Sequence, residues 1–373
     1  MIELDLEDID KILIGCAFMG TGGGGKLERG RRIVENAVKQ YKRRLKVISV
    51  DELGDDELTC SVFGVGSIAP LDKRGVGKYW GLETTLAIRK LENLLEREVS
   101  AIVPIELGAG STGRAIATAI SLDIPIVNGD YSGRAFPELI QCSPAIYGGK
   151  LCPIVACDEY GDVITINEVA NPSNIEVIAR WLSVAVMKSL KSQVLGCSGL
   201  PNQGRQVKKL IVRDTISFCL KIGEVISSSR ESKEDVVDSL LRCTSGYLLF
   251  KGRVVSKKWE DREGFMYGES TILGIEEFSG HTFKIWFKNE NHITWLDDRP
   301  YVTSPDLITV IDRSLGMPIT NEELSEGNLV AVIGLKAPQI YRSGKGLEVL
   351  NPKHFNFDIE YVPIEERVKE TAI

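Results

Sequence analysis

Two carboxylates and a loop of glycines hold most of the chemistry legible in this chain. Glu106 heads Glu106-Leu107-Gly108-Ala109-Gly110-Ser111-Thr112-Gly113, and Asp130 lies in Asn128-Gly129-Asp130-Tyr131-Ser132-Gly133-Arg134; each follows a short run of Ile and Val. A carboxylate beside a glycine turn can move a proton or ligate a cation. Glu106 and Asp130 are therefore the expected catalytic pair, and the expected ligands of a divalent ion, zinc or magnesium, if one is bound. Plainer roles compete with this reading: Asp130 could cap a following helix, and Glu106 could pair with Arg114 or Arg134. Arg134 itself suits either a clamp on a substrate carboxylate or a partner for Asp130, four residues back on an expected helical turn.

Residues 20–26, Gly20-Thr21-Gly22-Gly23-Gly24-Gly25-Lys26, place five glycines in six positions. Such a backbone can approach a ligand closely and turn N–H groups toward an anion. Thr21, Gly22, Gly23, Gly24 and Gly25, with Arg134 and with Ser67 of Gly66-Ser67-Ile68-Ala69-Pro70, form the expected substrate-binding set. The loop also fits Gly-x-Gly-x-x-Gly and Gly-x-x-x-x-Gly-Lys, but both nucleotide motifs need a strand upstream. Here Ile9, Ile12, Leu13, Cys16 and Ala17 recur at helical spacing, and Leu27 stands where a P-loop has Ser or Thr. The loop is expected to join two helices, and no nucleotide cofactor is expected.

The other metal and nucleophile classes are poorly served. Eight cysteines, at 16, 60, 142, 152, 157, 197, 219 and 243, never form Cys-x-x-Cys and read as reduced core residues. Cys60 or Cys142 as a sulfur acceptor is a lesser alternative. The three histidines, His281, His292 and His354, are too widely spaced for a His-rich zinc motif.

Positioning these residues requires a layered scaffold. Residues 45–50, 60–65, 101–105, 124–127, 153–157 and 163–168 read as strands, and 27–42, 78–97, 112–122 and 173–191 as helices. The alternation predicts an α/β domain over 1–195, with a mostly parallel sheet covered by helices. Ligands bind beyond the carboxyl ends of such strands, so Glu106 and Asp130 should open on one crevice beside the glycine loop. The second half differs. After a strand at 208–212 and helices at 215–226 and 233–243, residues 247–335 alternate apolar and polar in six short runs, predicting a mainly β domain over 196–340. The tail, 341–373, with Phe355, Phe357, Ile359 and Tyr361 alternating, is expected to pack back on the first domain as a strand.

At 373 residues, 43% hydrophobic and 26% charged, the chain has the length for two domains and the composition of a soluble globular protein. A net charge of −7 argues against nucleic acid and anionic membranes as partners. No apolar run reaches about 18 residues, so no membrane helix or signal peptide is expected, and the location expected is cytoplasmic. The partners expected are a small-molecule substrate and further copies of the chain.

Four stretches together resemble the S-methyl thiohydantoin desulfurase family: the loop at 20–26, residues 125–138 with their Gly-Arg-Ala-Phe-Pro-Glu core, Pro305-Asp306-Leu307-Ile308-Thr309-Val310-Ile311-Asp312, and the ending at 352–363. The resemblance spans nearly the whole chain. It implies an α/β first domain, a largely β second domain, and a hydrolase that removes sulfur from a five-membered hydantoin-like ring by metal-assisted attack of water. The family's association with hydantoinase and oxoprolinase-type proteins implies an alternative, a non-catalytic subunit of such a complex. Three stretches depart from the family pattern, which more often has Asp-Gly-Met-Gly-Arg at 130–134, a Gly-Gly-rich stretch at 107–110, and an aromatic ending of a somewhat different sequence where this chain has His354 and Asn356.

Overall fold

The computed structural model describes residues 1–69, 77–192, 194–232 and 235–370. Pro70 of the expected Ser67 loop, Lys233 at an expected helix start and residues 371–373 of the tail lie outside the described residues.

Helix α1 (Leu6–Met19) starts where the Asp5 carboxylate accepts the N–H groups of Glu7 and Asp8, and α2 (Leu27–Tyr41) follows the glycine loop. The loop thus joins two helices, as the apolar spacing on either side implies. Eight strands form the first sheet, in the order Ile2–Leu4, Leu45–Ile48, Ile126–Val127, Ala101–Ile102, Leu58–Val65, Leu195–Gln203, Ile154–Asp158 and Val163–Ile166. Its second to fifth strands pair in parallel, while the flanking pairings are antiparallel, so the sheet is mixed with a parallel centre. Parallel neighbours need crossovers. Helices α3 (Glu83–Leu95) and α4 (Ala109–Leu122) supply two of them. Seven of the eight residues in Leu58–Val65 are buried, the signature of a strand covered on both faces.

This first body takes more of the chain than residues 1–195. Strand Leu195–Gln203 lies inside the sheet with eight of its nine residues buried. Helix Thr215–Ser232 packs on α1 so tightly that a Cβ on Gly15 would lie 1.9 Å from the Cys219 carbonyl oxygen, and one on Gly223 1.9 Å from that of Lys11. Residues 208–210, expected in a strand, end helix Gly204–Leu210, where Gly204, Val207 and Leu210 are buried at a spacing that suits a helix and not a ladder.

The second sheet has eight antiparallel strands in the order Arg299–Thr303, Glu290–Leu296, Thr282–Lys288, Phe265–Gly274, Tyr247–Arg262, Leu329–Leu335, Leu307–Asp312 and Met317–Pro318. Alternation marks the strands plainly: Thr282–Lys288 buries every second residue. The tail does pack back, but not as a strand. Pro352–Phe355 is a 3-10 turn, and Leu350 and Phe355 gather with Tyr341 and with Ile146 of the first domain. The Tyr341 hydroxyl donates to the Gln141 carbonyl at 2.7 Å and the Gln141 amide to the Val349 carbonyl at 2.9 Å. Proline at 352 and a left-handed Asn356 (φ 65°) break the ladder that the aromatic alternation suggested. Among the described residues no helix is long and apolar enough to cross a membrane.

Candidate active site

The glycine loop lies where the two domains meet. Its residues are glycine because neighbours come too close for anything else: a Cβ on Gly24 (φ +68°) would lie 2.5 Å from Gly108 Cα, and one on Gly23 1.9 Å from Glu290 Oε1. The second domain also grips the loop backbone. Asn291 N–H donates to the Thr21 carbonyl at 2.8 Å, and Asn321 N–H to the Gly22 carbonyl at 2.7 Å. Two of the amides expected to face an anion are used inside the protein. Gly23 N–H donates to the Gly20 carbonyl at 2.8 Å and Gly24 N–H to Glu290 Oε1 at 3.3 Å.

Beside this junction lies a cleft of about 670 Å³. Of the expected site residues it is lined by Gly24, Gly25, Ser67 and Glu106, and not by Thr21, Gly22, Gly23, Asp130 or Arg134. It also takes in Ser111 and Arg114 from α4, Arg29 from α2 and Glu290 from the second sheet.

Glu106 and Glu290 reach the cleft from different domains. Phe136 N–H holds Glu106 Oε2 at 3.0 Å. Burial pushes the Glu106 carboxyl up to about 7, against the pull of that N–H and of the Ser111 hydroxyl. Glu290 is 2% exposed, and its Oε2 has no hydrogen-bond partner. Burial first, and the charge of Glu106 second, push it up to about 8. The two carboxyls therefore titrate as a pair, one holding a proton while the other is ionised, near neutral pH.

Asp130 is placed otherwise. Its Oδ2 accepts Gly133 N–H at 2.8 Å, Ser132 N–H at 2.9 Å and the Ser132 hydroxyl at 3.0 Å. Burial raises it to about 6. The expected helix after Asp130 is absent: 131–134 is a run of bends, because Asp130 captures the amides two and three residues ahead and Gly133 adopts φ +73°. That turn aims Arg134, fully buried, at the second domain. Its guanidinium donates to the carbonyls of Ala135 at 2.9 Å, Pro305 at 2.6 Å and Asp306 at 3.3 Å, and to the Thr21 hydroxyl at 3.2 Å. Arg134 and Thr21 thus join the domains from below the cleft wall.

A metal shared by Glu106 and Asp130 does not fit these positions, since only Glu106 faces the cleft. Among the described residues no three His, Cys, Asp or Glu side chains come together to hold an ion. Cys60 and Cys142 are buried, and burial pushes both thiols up, that of Cys142 to about 12. Neither has the character of a nucleophile.

The family models of the S-Me-THD-like N-terminal domain and C-terminal domain match residues 7–168 and 170–364. The chain belongs to the S-Me-THD-like family. The fold is similar to the crystal structure of a protein from Chromobacterium violaceum, with a TM-score of 0.78 over 98% of this chain and 100% of that one. At 22% identity that likeness is one of fold. No curated protein matches the chain.

Sequence reading missed Glu290. It sits in Asn289-Glu290-Asn291, a polar step between two strands that reads as an ordinary hairpin turn. Nothing local distinguishes it, because its significance comes from facing the glycine loop 266 residues away.

Proposed function

We propose that the cleft hydrolyses the carbon–sulfur bond of an S-methyl thiohydantoin-type ring, with Glu106 and Glu290 as its acid–base pair. The observation that carries this reading is the pair itself: two carboxyls from different domains, both raised toward neutrality, facing one cleft. The family name gives the substrate class.

Each proton then has a place. Glu106, whose ionised form the Phe136 N–H supports, is the base that takes a proton from water as the oxygen bonds to the sulfur-bearing ring carbon. The carbon–nitrogen double bond opens onto the ring nitrogen, which receives the proton of Glu290. Collapse of the tetrahedral intermediate breaks the carbon–sulfur bond and forms the carbonyl, and methanethiol leaves with a proton returned through the pair. The balance is ring–SCH₃ plus water giving a hydantoin and methanethiol. Phe136 N–H and Gly24 N–H hold the two carboxyls in place for this exchange. The hydantoin product is what a hydantoinase-type enzyme opens, so that is the partner class that would consume it.

Incubation with an S-methyl thiohydantoin, with methanethiol captured by a thiol reagent and the hydantoin followed by mass, tests the reading. Both products should appear in equal amounts, with a bell-shaped rate profile whose limbs fall near pH 7 and 8, where the base and then the acid are lost. Ring binding with no thiol release at any pH would assign the cleft to a non-catalytic subunit instead.

A further inference from the structure

Strand Leu58–Val65 is buried except at Gly64, and Gly64 opens on the cleft. A glycine at the one open point of a buried strand marks a place where another group comes close to the backbone. Two residues on, Gly66 (φ +149°) lines the same cleft. The two glycines make a floor without side chains, at the end of the strand that pairs with Ala101–Ile102, from which the chain runs on to Glu106.

What stands over this floor is mostly apolar. A Cβ on Gly66 would lie 2.4 Å from Met187 Sδ, and one on Gly64 would lie 3.2 Å from Val194 Cγ2 and 3.6 Å from Arg114 Nε. The room above the strand end is therefore shallow, and it closes on the Met187 thioether in the direction of Gly66. An uncharged group placed there would turn from the guanidinium toward Met187 and Val194, both of which line the cleft. Met187 belongs to Ala185–Leu190, a π-helical turn that continues the helix Pro172–Val184. Such turns are rare and recur at functional sites. A thioether is also a soft, polarizable wall, well matched to a second sulfur and its methyl group.

We propose that the sulfur substituent of the ring seats on the Gly64–Gly66 floor against Met187 and Val194, and that Met187 limits this substituent to a methyl. This rests on the ring-hydrolysis reading. The bond broken and the products are unchanged, and the recess decides which thiol can leave. A longer S-alkyl chain must either displace Met187 Sδ or lift the ring carbon away from Glu106, and both cost turnover.

S-methyl, S-ethyl and S-propyl forms of one thiohydantoin, followed by turnover and by calorimetric binding, test this. The three thiols are nearly equal leaving groups, so the series reports fit. Wild-type protein should favour S-methyl over S-propyl by on the order of 10- to 100-fold in kcat/KM. Met187→Ala, which lengthens the recess, should shrink that ratio to about threefold or less, Val194→Ala should shrink it by a smaller factor, and the near-isosteric Met187→Leu should keep it within about threefold of the wild-type value. S-propyl turned over by the wild type within about threefold of S-methyl, or a folded Met187→Ala protein with the wild-type ratio, would overturn the recess and leave the hydrolysis standing. Absence of turnover, with S-methyl still bound about tenfold or more tightly than S-propyl, would overturn the hydrolysis and leave the recess. Absence of turnover without that preference would overturn both. The wild-type comparison decides even where Met187→Ala fails to fold.

Discussion

Glu106 and Asp130 look alike in the sequence, each an acid just past a buried strand and beside glycine, yet the fold uses them in opposite ways. Asp130 turns inward and spends three acceptor bonds on its own loop, which in turn fixes Arg134 against the second domain. Glu106 keeps one oxygen for Phe136 N–H and faces the cleft, where Glu290 meets it from across the domain boundary. A strand end in an α/β sheet offers a position, and the following few residues decide whether its carboxylate builds the loop or serves a ligand. Where the next amides can fold back within two or three residues, as at Ser132 and Gly133, the loop takes the acid.

The sharpest way to break this comparison is to remove one charge at a time. Glu106→Gln and Glu290→Gln should each lower turnover by about 10²-fold or more with the thermal midpoint preserved, as loss of a general acid or base does. Full activity in either would remove the pair from the mechanism. Gly23→Ala should cost on the order of 10- to 100-fold, because its Cβ must push Glu290 Oε1 from a position 1.9 Å away; an active Gly23→Ala protein would show that the placement of Glu290 is not critical. Asp130→Asn keeps an acceptor for the turn, so turnover should stay within about threefold, whereas Asp130→Ala leaves buried amides unpaired and should lower stability by about 1–3 kcal/mol. A large rate loss in a stable Asp130→Asn protein would erase the distinction between the two acids.

The smallest effect is on stability against pH. Glu290 is raised above its unfolded value, so the folded state binds the proton more tightly, and that contribution is whole below the ordinary carboxylate range and lost as pH rises through about 8. The thermal midpoint of the wild type should fall across that window more than that of Glu290→Gln. Equal slopes would place the Glu290 carboxyl in water.

Local pattern was enough for what local physics controls. Helical spacing at Ile9, Ile12, Leu13 and Cys16 told that the glycine loop follows a helix and not a strand, which set aside the nucleotide motifs, and strict alternation marked the strand Thr282–Lys288 to the residue. The approach of the glycine loop to both domains was legible only as permissiveness, five glycines in six positions. Tertiary structure decided the rest. Leu195–Gln203 joins the first sheet because two buried strands leave a place between them, which no periodicity records. Glu290 became a site residue, and Asp130 a structural one, through distances across hundreds of residues and across a single turn. Burial sets the proton affinity of a carboxyl, and burial belongs to the assembled molecule, so the sequence by itself could propose which acids do chemistry but only the fold could choose between them.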